Sequence, residues 1–227
     1  MTGLDLKDVV LIGRTFDEYC RLFDLTPDIL SNNKILDAAS GVSSFCAEAC
    51  AIGYNVTASD RIYSLKPTFI LDKCKADLMN IKGQLENIKE SYVWNYFKDI
   101  DSLIENRAKA YNLFISDFIK YGNDRYKCVE YPESNFSDNQ FDLTISSGFL
   151  FMYEGILDLE FHKRAISELI RITSKEIRIW PIIDLKGQKS QYLDTIINTF
   201  STYDFNIKQV DYEFLKNSNE MLVINIT

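Results

Sequence analysis

Short apolar runs alternate with stretches of helical period along most of the chain, the pattern of parallel strands joined by crossover helices. Residues 34–38 (KILDA) predict a first strand. Ser44 to Ile52 predicts the helix after it, with serines at its start and Gly53 at its stop. A second strand is expected over 55–59, and YKCV at 126–129 and FDLTIS at 141–146 predict the third and fourth. Phe161, Ala165, Ile166, Leu169 and Ile170 mark the apolar face of the next helix, ahead of a fifth strand over 176–183. After Gly187, Leu193, Ile196, Ile197 and Phe200 give one more helix. Two β-rich runs, 206–212 and 221–226, then flank the turn-like KNSN as an antiparallel hairpin at the edge of the sheet.

Between the second and third strands, residues from about 62 to 125 are several times longer than such a crossover needs. Ile100, Leu103, Ile104, Ala108, Tyr111, Phe114, Ile115 and Phe118 keep a helical period, Leu78, Ile81, Leu85 and Ile88 give a shorter one, and YVWNYF joins them. A length of 227 residues suits one domain, 1–227, carrying this helical insertion, better than two domains. The expected fold class is α/β. It is a Rossmann-like, doubly wound, mostly parallel seven-stranded sheet with an antiparallel last strand.

Composition narrows the choice of function. With 46% hydrophobic residues the chain has enough apolar surface to offset the entropy of folding. No apolar run approaches about 18 residues, and Met1 to Lys7 mixes Asp with Lys, unlike a secretory signal. A cytoplasmic protein with no membrane partner is expected. The 25 basic against 33 acidic residues give a net charge of -8, and without a basic cluster this repels phosphate backbones, so no nucleic-acid partner is expected. The five cysteines are odd in number and widely spaced, as suits reduced thiols. Cys46 and Cys50, one helical turn apart, read as small buried side chains, and no metal is expected because no second Cys or His pair completes a site.

The informative chemistry follows the first strand. In ILDAASGVSSF, Asp37 stands four residues before Gly41 and seven before the helix. A dinucleotide site puts a glycine-rich turn directly after the strand and has no need of an acid there. An acid, a small-residue loop and then a helix suit a cationic ligand with a ribose and no pyrophosphate. Asp60, closing NVTASD, stands where a carboxylate accepts both ribose hydroxyls. Plainer readings stand beside these: Asp37 and Asp60 as loop caps, and Glu130 as a surface carboxylate. His162, the single histidine, sits at a helix start where a solvated or capping role competes with that of a base. Arg14 and Tyr19, in GRTFDEYCRLF, belong to an N-terminal helix whose aromatic residues core packing explains equally well.

Taken together, these residues resemble the class I S-adenosylmethionine-dependent methyltransferases, whose first motif runs acid-x-Gly-x-Gly-x-Gly after strand one. The match covers most of the chain. Asp37 takes the acidic position, Ala39 the first glycine, Gly41 the second and Ser43 the third. Two glycines are thus replaced by the next smallest residues, which matters if either position needs φ > 0. Asp60 matches the second motif, and Glu130 with Tyr131 match the acid and following residue that flank the adenine. NFSDNQFDLTISSGFLFMY resembles the run into strand four, with Ser146, Ser147 and Gly148 at its carboxyl end, and ELIRITSKEIRIWPI the fifth-strand region. The segment LDAASGVSSF is most similar to that of a group of uncharacterised bacterial methyltransferase-like proteins, so the resemblance implies no particular acceptor.

What the resemblance implies is S-adenosylmethionine as cofactor, bound by Asp37, Ala39, Ser40, Gly41, Asp60, Arg61, Glu130, Tyr131 and Ser146, with Tyr19 from a covering N-terminal helix. In-line methyl transfer to a small molecule leads, since the acidic balance disfavours nucleic acid and the aromatic insertion is suited to shape an apolar pocket. A non-catalytic binding module of the same fold and a protein methyltransferase remain open. A dinucleotide oxidoreductase fits worst, for want of G-x-G-x-x-G. No residue is singled out as a base. Tyr92, Trp94, Tyr96 and Phe97 are expected either to bury the inserted helices or also to roof the acceptor site.

Overall fold

Strands β1 (Ile35–Ala38) and β2 (Val56–Ser59) are almost wholly buried, as parallel strands covered on both faces must be. The computed structural model describes residues 10–226, so the stretch Met1 to Lys7 lies outside the described residues. With β3 (Tyr126–Lys127), β4 (Phe141–Ser147), β5 (Thr173–Trp180), β6 (Asp204–Gln209) and β7 (Glu220–Asn225), these strands form one seven-stranded sheet of order β3-β2-β1-β4-β5-β7-β6. Strands β1 to β5 pair in parallel, and β7 runs antiparallel to both its neighbours. This is the Rossmann-like α/β sheet with an antiparallel last strand that the sequence implies.

Some boundaries differ from those expected, each for a local reason. Strand β5 starts at Thr173, directly on the end of its preceding helix, and stops before Pro181, which has no N–H for the ladder. Strand β6 ends at Gln209 because the following residues leave the sheet, where Tyr212 turns inward to a buried carboxylate. Strand β3 is two residues long. A short helix, α2 (Pro27–Asn32), was not expected; the Thr26 side chain caps it by accepting from the Ile29 N–H, with Pro27 in its first turn.

Helices cover both faces. Helices α1 (Phe16–Leu22) and α3 (Phe45–Ala51), with the two inserted helices α4 (Pro67–Ile88) and α5 (Ile100–Tyr121), pack on Ile35, Val56, Ala58, Leu143, Ile145 and Val223. The other face buries Leu36, Ala38, Ile177, Ile179, Leu222 and Ile224 beneath α6 (Leu159–Ile172) and α7 (Leu193–Thr199). The alternation of Ile35 and Leu36 between these faces is the two-residue period of a strand. Cys46 and Cys50 lie under β2, both thiols within 3.5 Å of the Val56 carbonyl. Helix α4 runs for 22 residues, longer than expected, because Ile70 and Cys74 extend the buried stripe of Leu78, Ile81 and Leu85. The segment joining α4 to α5 packs on the β6–β7 connection: the rings of Tyr92, Trp94 and Phe97 all lie within 5.5 Å of Phe214, and Tyr96 lies 5.2 Å from Tyr212.

One ion pair ties these parts together. Glu18 of α1 is fully buried, and its carboxylate meets the Arg107 guanidinium of α5 at 2.6 Å. It also accepts from the Tyr212 hydroxyl at 2.7 Å and from the Thr15 N–H at 3.0 Å, while Arg107 donates to the Gly13 carbonyl. Burial works to raise the Glu18 pKa, but the Arg107 charge and these donors outweigh it and hold the carboxyl below its usual value.

Removing one partner leaves a buried charge unmatched. Arg107→Leu is therefore expected to lower unfolding stability by about 3 to 5 kcal/mol, and adding Glu18→Met to it should recover part of that loss. Urea unfolding of the single and double variants checks this; a double variant less stable than the single would refute the assignment.

Candidate functional site

A cleft of about 500 Å³ opens where the carboxyl ends of the parallel strands meet the insertion. Its volume lies in the range of small-ligand sites, about 300 to 1,000 Å³, and its place is where open α/β sheets bind ligands. Residues 39–43 after β1, 60–62 after β2, 129–131 after β3, 147–149 at the end of β4 and 180–181 at the end of β5 line it. The insertion adds Lys73, Leu78, Ile81, Leu85, Leu103 and Arg107. Of its joining aromatics only Tyr92 reaches the cleft; Trp94, Tyr96 and Phe97 bury the insertion against the β6–β7 connection.

The loop after β1 turns back on itself through two left-handed residues, Ala39 (φ 54°) and Gly41 (φ 57°). Its shape is held from all sides. The Ser40 N–H donates to the Ser59 carbonyl, the Gly41 N–H to Asp60 Oδ2 at 2.9 Å, and the Tyr63 hydroxyl to the Gly41 carbonyl at 2.8 Å. A Cβ at Gly41 would meet no protein atom within 4 Å, so glycine there serves the backbone angle and leaves the cleft side open. Ser43 does not have a positive φ. Its hydroxyl donates to the Arg14 carbonyl and accepts from the Phe45 N–H, so its side chain fastens the N-terminal segment to the start of α3. Gly13 completes that contact, since a Cβ there would fall 2.1 Å from the Val42 carbonyl oxygen.

Asp60 lines the cleft with a nearly buried carboxylate whose pKa burial raises, against donation from the Ile62 and Gly41 N–H groups. Oδ1 accepts from Ile62 and Oδ2 from Gly41. An ionised carboxylate has about four acceptor positions, so with the Arg61 N–H also acting on it the group keeps capacity for a further donor. Of the residues singled out in the sequence, Ala39, Ser40, Gly41, Asp60, Arg61, Glu130, Tyr131 and Tyr19 line this one cleft. Glu130 and Arg61 are exposed, and the Tyr131 hydroxyl lies 2.8 Å from Ser59 Oγ.

Asp37 and Ser146 do not line the cleft. Asp37 is fully buried beneath the loop, where Ser40 Oγ donates to it at 2.7 Å and the Tyr19 hydroxyl at 3.3 Å. Burial pushes its carboxyl up to about 7, against those two donors and with the Asp60 charge adding to the rise. Ser146 points to the α6 side, against Ala38, Leu150, Ala165 and Leu169, because side chains alternate along β4; its neighbour Ser147 faces the cleft. His162 is neither solvated nor in the cleft: it is buried between Phe151 and Tyr192, with Nδ1 2.8 Å from the Asp158 carbonyl oxygen. Arg14 precedes α1 and lines the cleft, its guanidinium 5.0 Å over the Trp180 ring. Trp180 and the apolar residues of α4 and α5 also belong to the cleft. Their helical period marked them only as core, since periodicity does not separate a face turned to core from one turned to a cavity.

No family model matches the chain. It is 48% identical over 225 residues, 99% of either chain, to the uncharacterised protein MJ0045 of Methanocaldococcus jannaschii. That relative is archaeal, whereas the resemblance pointed to a bacterial group. Among solved structures, the chain is similar to magnesium protoporphyrin IX methyltransferase from Synechocystis with bound S-adenosylmethionine, at 13% identity over 87% of this chain and 72% of that one, TM-score 0.46. A similar likeness relates it to an S-adenosylmethionine-dependent methyltransferase from Aquifex aeolicus, at 13% identity over 92% and 93% of the two chains, TM-score 0.46. Both likenesses are distant, and the reading of the cleft rests on its own residues.

The loop geometry separates the two replaced glycines. Ala39→Gly relieves a left-handed alanine and should raise stability by about 1 kcal/mol. Ser43→Gly removes two hydrogen bonds and should lower it by about 1 to 2 kcal/mol. Thermal unfolding of the two variants checks this, and shifts of the same sign in both would overturn it.

The buried carboxyl gives a pH signature. Asp37 has a folded pKa near 7 against about 3.9 unfolded, so the folded state holds the extra proton. Its contribution is full below the unfolded value and is lost as pH rises through about 7. Asp37→Asn, which keeps both neighbours hydrogen-bonded, should therefore gain stability over the native chain progressively between pH 4 and 7. A difference constant across that range, measured by denaturant unfolding, would sink the reading.

Proposed function

We propose that this chain, which belongs to the same family as the protein MJ0045 of Methanocaldococcus jannaschii, is an S-adenosylmethionine-dependent methyltransferase that acts on a small molecule. The observation that carries this reading is Asp60, a carboxylate at the end of β2 with acceptor capacity left, set against a loop whose backbone is open at Gly41. Those features suit a ribose diol beside a closely approached backbone. The residues would fit the cofactor: Asp60 would hold the ribose, Ala39, Ser40 and Gly41 would form the floor, Tyr131 and Glu130 would flank the base, and Tyr19 of α1 lines the same cleft.

When bound, the cofactor would supply a methyl group made electrophilic by its sulfonium, so that an acceptor atom bonds to the methyl carbon in line as the carbon–sulfur bond breaks with its electron pair left on sulfur. The chain's own work is positioning and the exclusion of water. The loop after β1 is braced by Ser59, Asp60 and Tyr63, so it presents a fixed surface. Leu78, Ile81, Leu85 and Leu103 of the insertion give the cleft a dry wall. An enclosed apolar wall and a net charge of -8 support a small acceptor over a nucleic acid. The alternative of a non-catalytic module drew on the replaced glycines, yet the loop reaches its left-handed turn at Ala39 without one. The same reading takes residues 1–227 as one domain with the insertion as part of its ligand site. No helix among the described residues is long and apolar enough to cross a membrane, and we place the protein in the cytoplasm as part of the proposal.

Calorimetric titration tests this. S-adenosylmethionine and S-adenosylhomocysteine should bind, and NAD should not. Asp60→Ala should weaken the binding by about 2 to 4 kcal/mol, since hydrogen bonds to a charged group contribute about 1.5 to 3 kcal/mol each. Because Asp60 also holds the Gly41 and Ile62 N–H groups, the variant will melt earlier and must be titrated well below its midpoint. Unchanged affinity in a folded variant would remove Asp60 from the site.

A further inference from the structure

The two edges of the sheet are finished differently. Strand β3 closes one edge and is two residues long, so it offers almost no free ladder. Strand β6 closes the other over six residues, Asp204–Gln209, and every side chain on it except that of Phe205 is exposed. It pairs with β7 along its whole length without a bulge. Val210 continues that register and donates its N–H to the Asn219 carbonyl opposite, at 2.9 Å. Hydrogen-bonded and non-hydrogen-bonded pairs alternate along an antiparallel ladder. Asp204, Asn206 and Lys208 therefore turn their N–H and C=O groups to β7, and Phe205, Ile207 and Gln209 turn theirs outward, where no strand among the described residues takes them up.

The sequence of this edge is complementary to itself. Laid antiparallel on a copy of the same strand about an axis at Asn206, it sets Asp204 opposite Lys208 and Phe205 opposite Ile207, each of them twice. In that register Phe205 and Ile207 form the hydrogen-bonded pairs, through their outward groups. Asp204 and Lys208 fall in non-hydrogen-bonded pairs, where Cα atoms stand about 4.5 Å apart and side chains come closest. Neither charge is matched within the chain. Asp204 Oδ2 accepts from the Asn206 and Asn225 side-chain amides, and neither Asp204 nor Lys208 has an ion-pair partner among the described residues. Ile207 is 41% exposed, and the pairing sets it against Phe205 of the copy. Axes at Phe205 or Ile207 also bring outward groups together but oppose neither charge to the other, so the charges select Asn206. We propose that β6 is an interface for a second copy of this chain, the two strands pairing antiparallel about a twofold axis at Asn206 into one continuous sheet. No residue of β6 lines the cleft, so this inference and the reading of the cleft are tested independently.

Sedimentation velocity of the full chain across a concentration series provides the test. The native chain should pass from monomer to dimer as concentration rises. Lys208→Glu and Asp204→Lys should each raise the dissociation constant at least about tenfold, because each turns two attractive cross-strand pairs into repulsive ones. Mixed in equal amounts, these two variants should pair with each other, since positions 204 and 208 then again oppose unlike charges. Ile207→Pro removes an outward N–H and none from the β7 ladder, so it should abolish the dimer in a folded chain. Should that variant fail to fold, the charge variants alone and mixed decide the matter. A native chain that stays monomeric throughout overturns the proposal, including the case in which this edge serves a strand of another protein. A dimer that all three variants leave unchanged overturns it too, since such a dimer would use another surface. So does a dimer lost in Ile207→Pro but indifferent to the charge reversals, or charge variants that fail to pair when mixed.

Discussion

A carboxylate with no access to water must find its partners inside the protein, and Glu18 finds them on three separate stretches of chain. It accepts from Thr15 beside it, from Arg107 of the insertion, and from Tyr212 in the β6–β7 connection. Apolar side chains of similar volume would pack these segments about as stably. What the ion pair adds is direction, because its hydrogen bonds are satisfied in one arrangement. That arrangement fixes the N-terminal segment along the cleft, with the Arg107 bond to the Gly13 carbonyl next to Arg14. The insertion and the hairpin connection, which on topology alone are free to sit elsewhere, are thereby committed to walls of one site.

The aromatic residues of the insertion follow from the same constraint. Tyr92, Trp94 and Phe97 surround Phe214, and the backbone there forms an isolated bridge between Tyr92 and Leu215. These contacts fix the joined ends of the inserted pair against the β6–β7 connection, while Lys73 to Leu85 of α4 and the first turns of α5 face the cleft. The insertion therefore lines the cleft mainly with aliphatic side chains such as Leu85 and Leu103, and the aromatic rings serve as the anchor that holds them there.

The strands and both long helices were legible because their periods are long or strongly marked: Leu103, Tyr111, Phe114 and Phe118 allow one helical face and no other. The acid at the end of β2 and the small-residue loop were legible from type and spacing. What sequence order did not supply is the direction of single side chains. Ser146 and Ser147 are chemically the same, and only the register of β4 decides which one reaches the cleft. Asp37 sits at the right place in the chain, yet the left-handed turn at Ala39 carries the loop over it and leaves it to Ser40 and Tyr19. Arg14 became informative only when Trp180, distant in sequence, was found beneath it.

The loop also shows that replaced glycines are not equivalent losses. A glycine offers a backbone two things, access to positive φ and the absence of a side chain. At Ala39 the first is what the structure uses, and alanine supplies it at some strain, offset by the bonds that Ser40 and Gly41 make to Ser59 and Asp60. At Ser43 neither is used: φ is ordinary, and the hydroxyl takes up the Arg14 carbonyl and the Phe45 N–H. A glycine there would remove one of the ties between the loop and the segment that carries Arg14, leaving the Ser44 N–H to hold the Arg14 carbonyl. The serine therefore joins the loop after β1 to the segment that carries Arg14, both of which line the cleft.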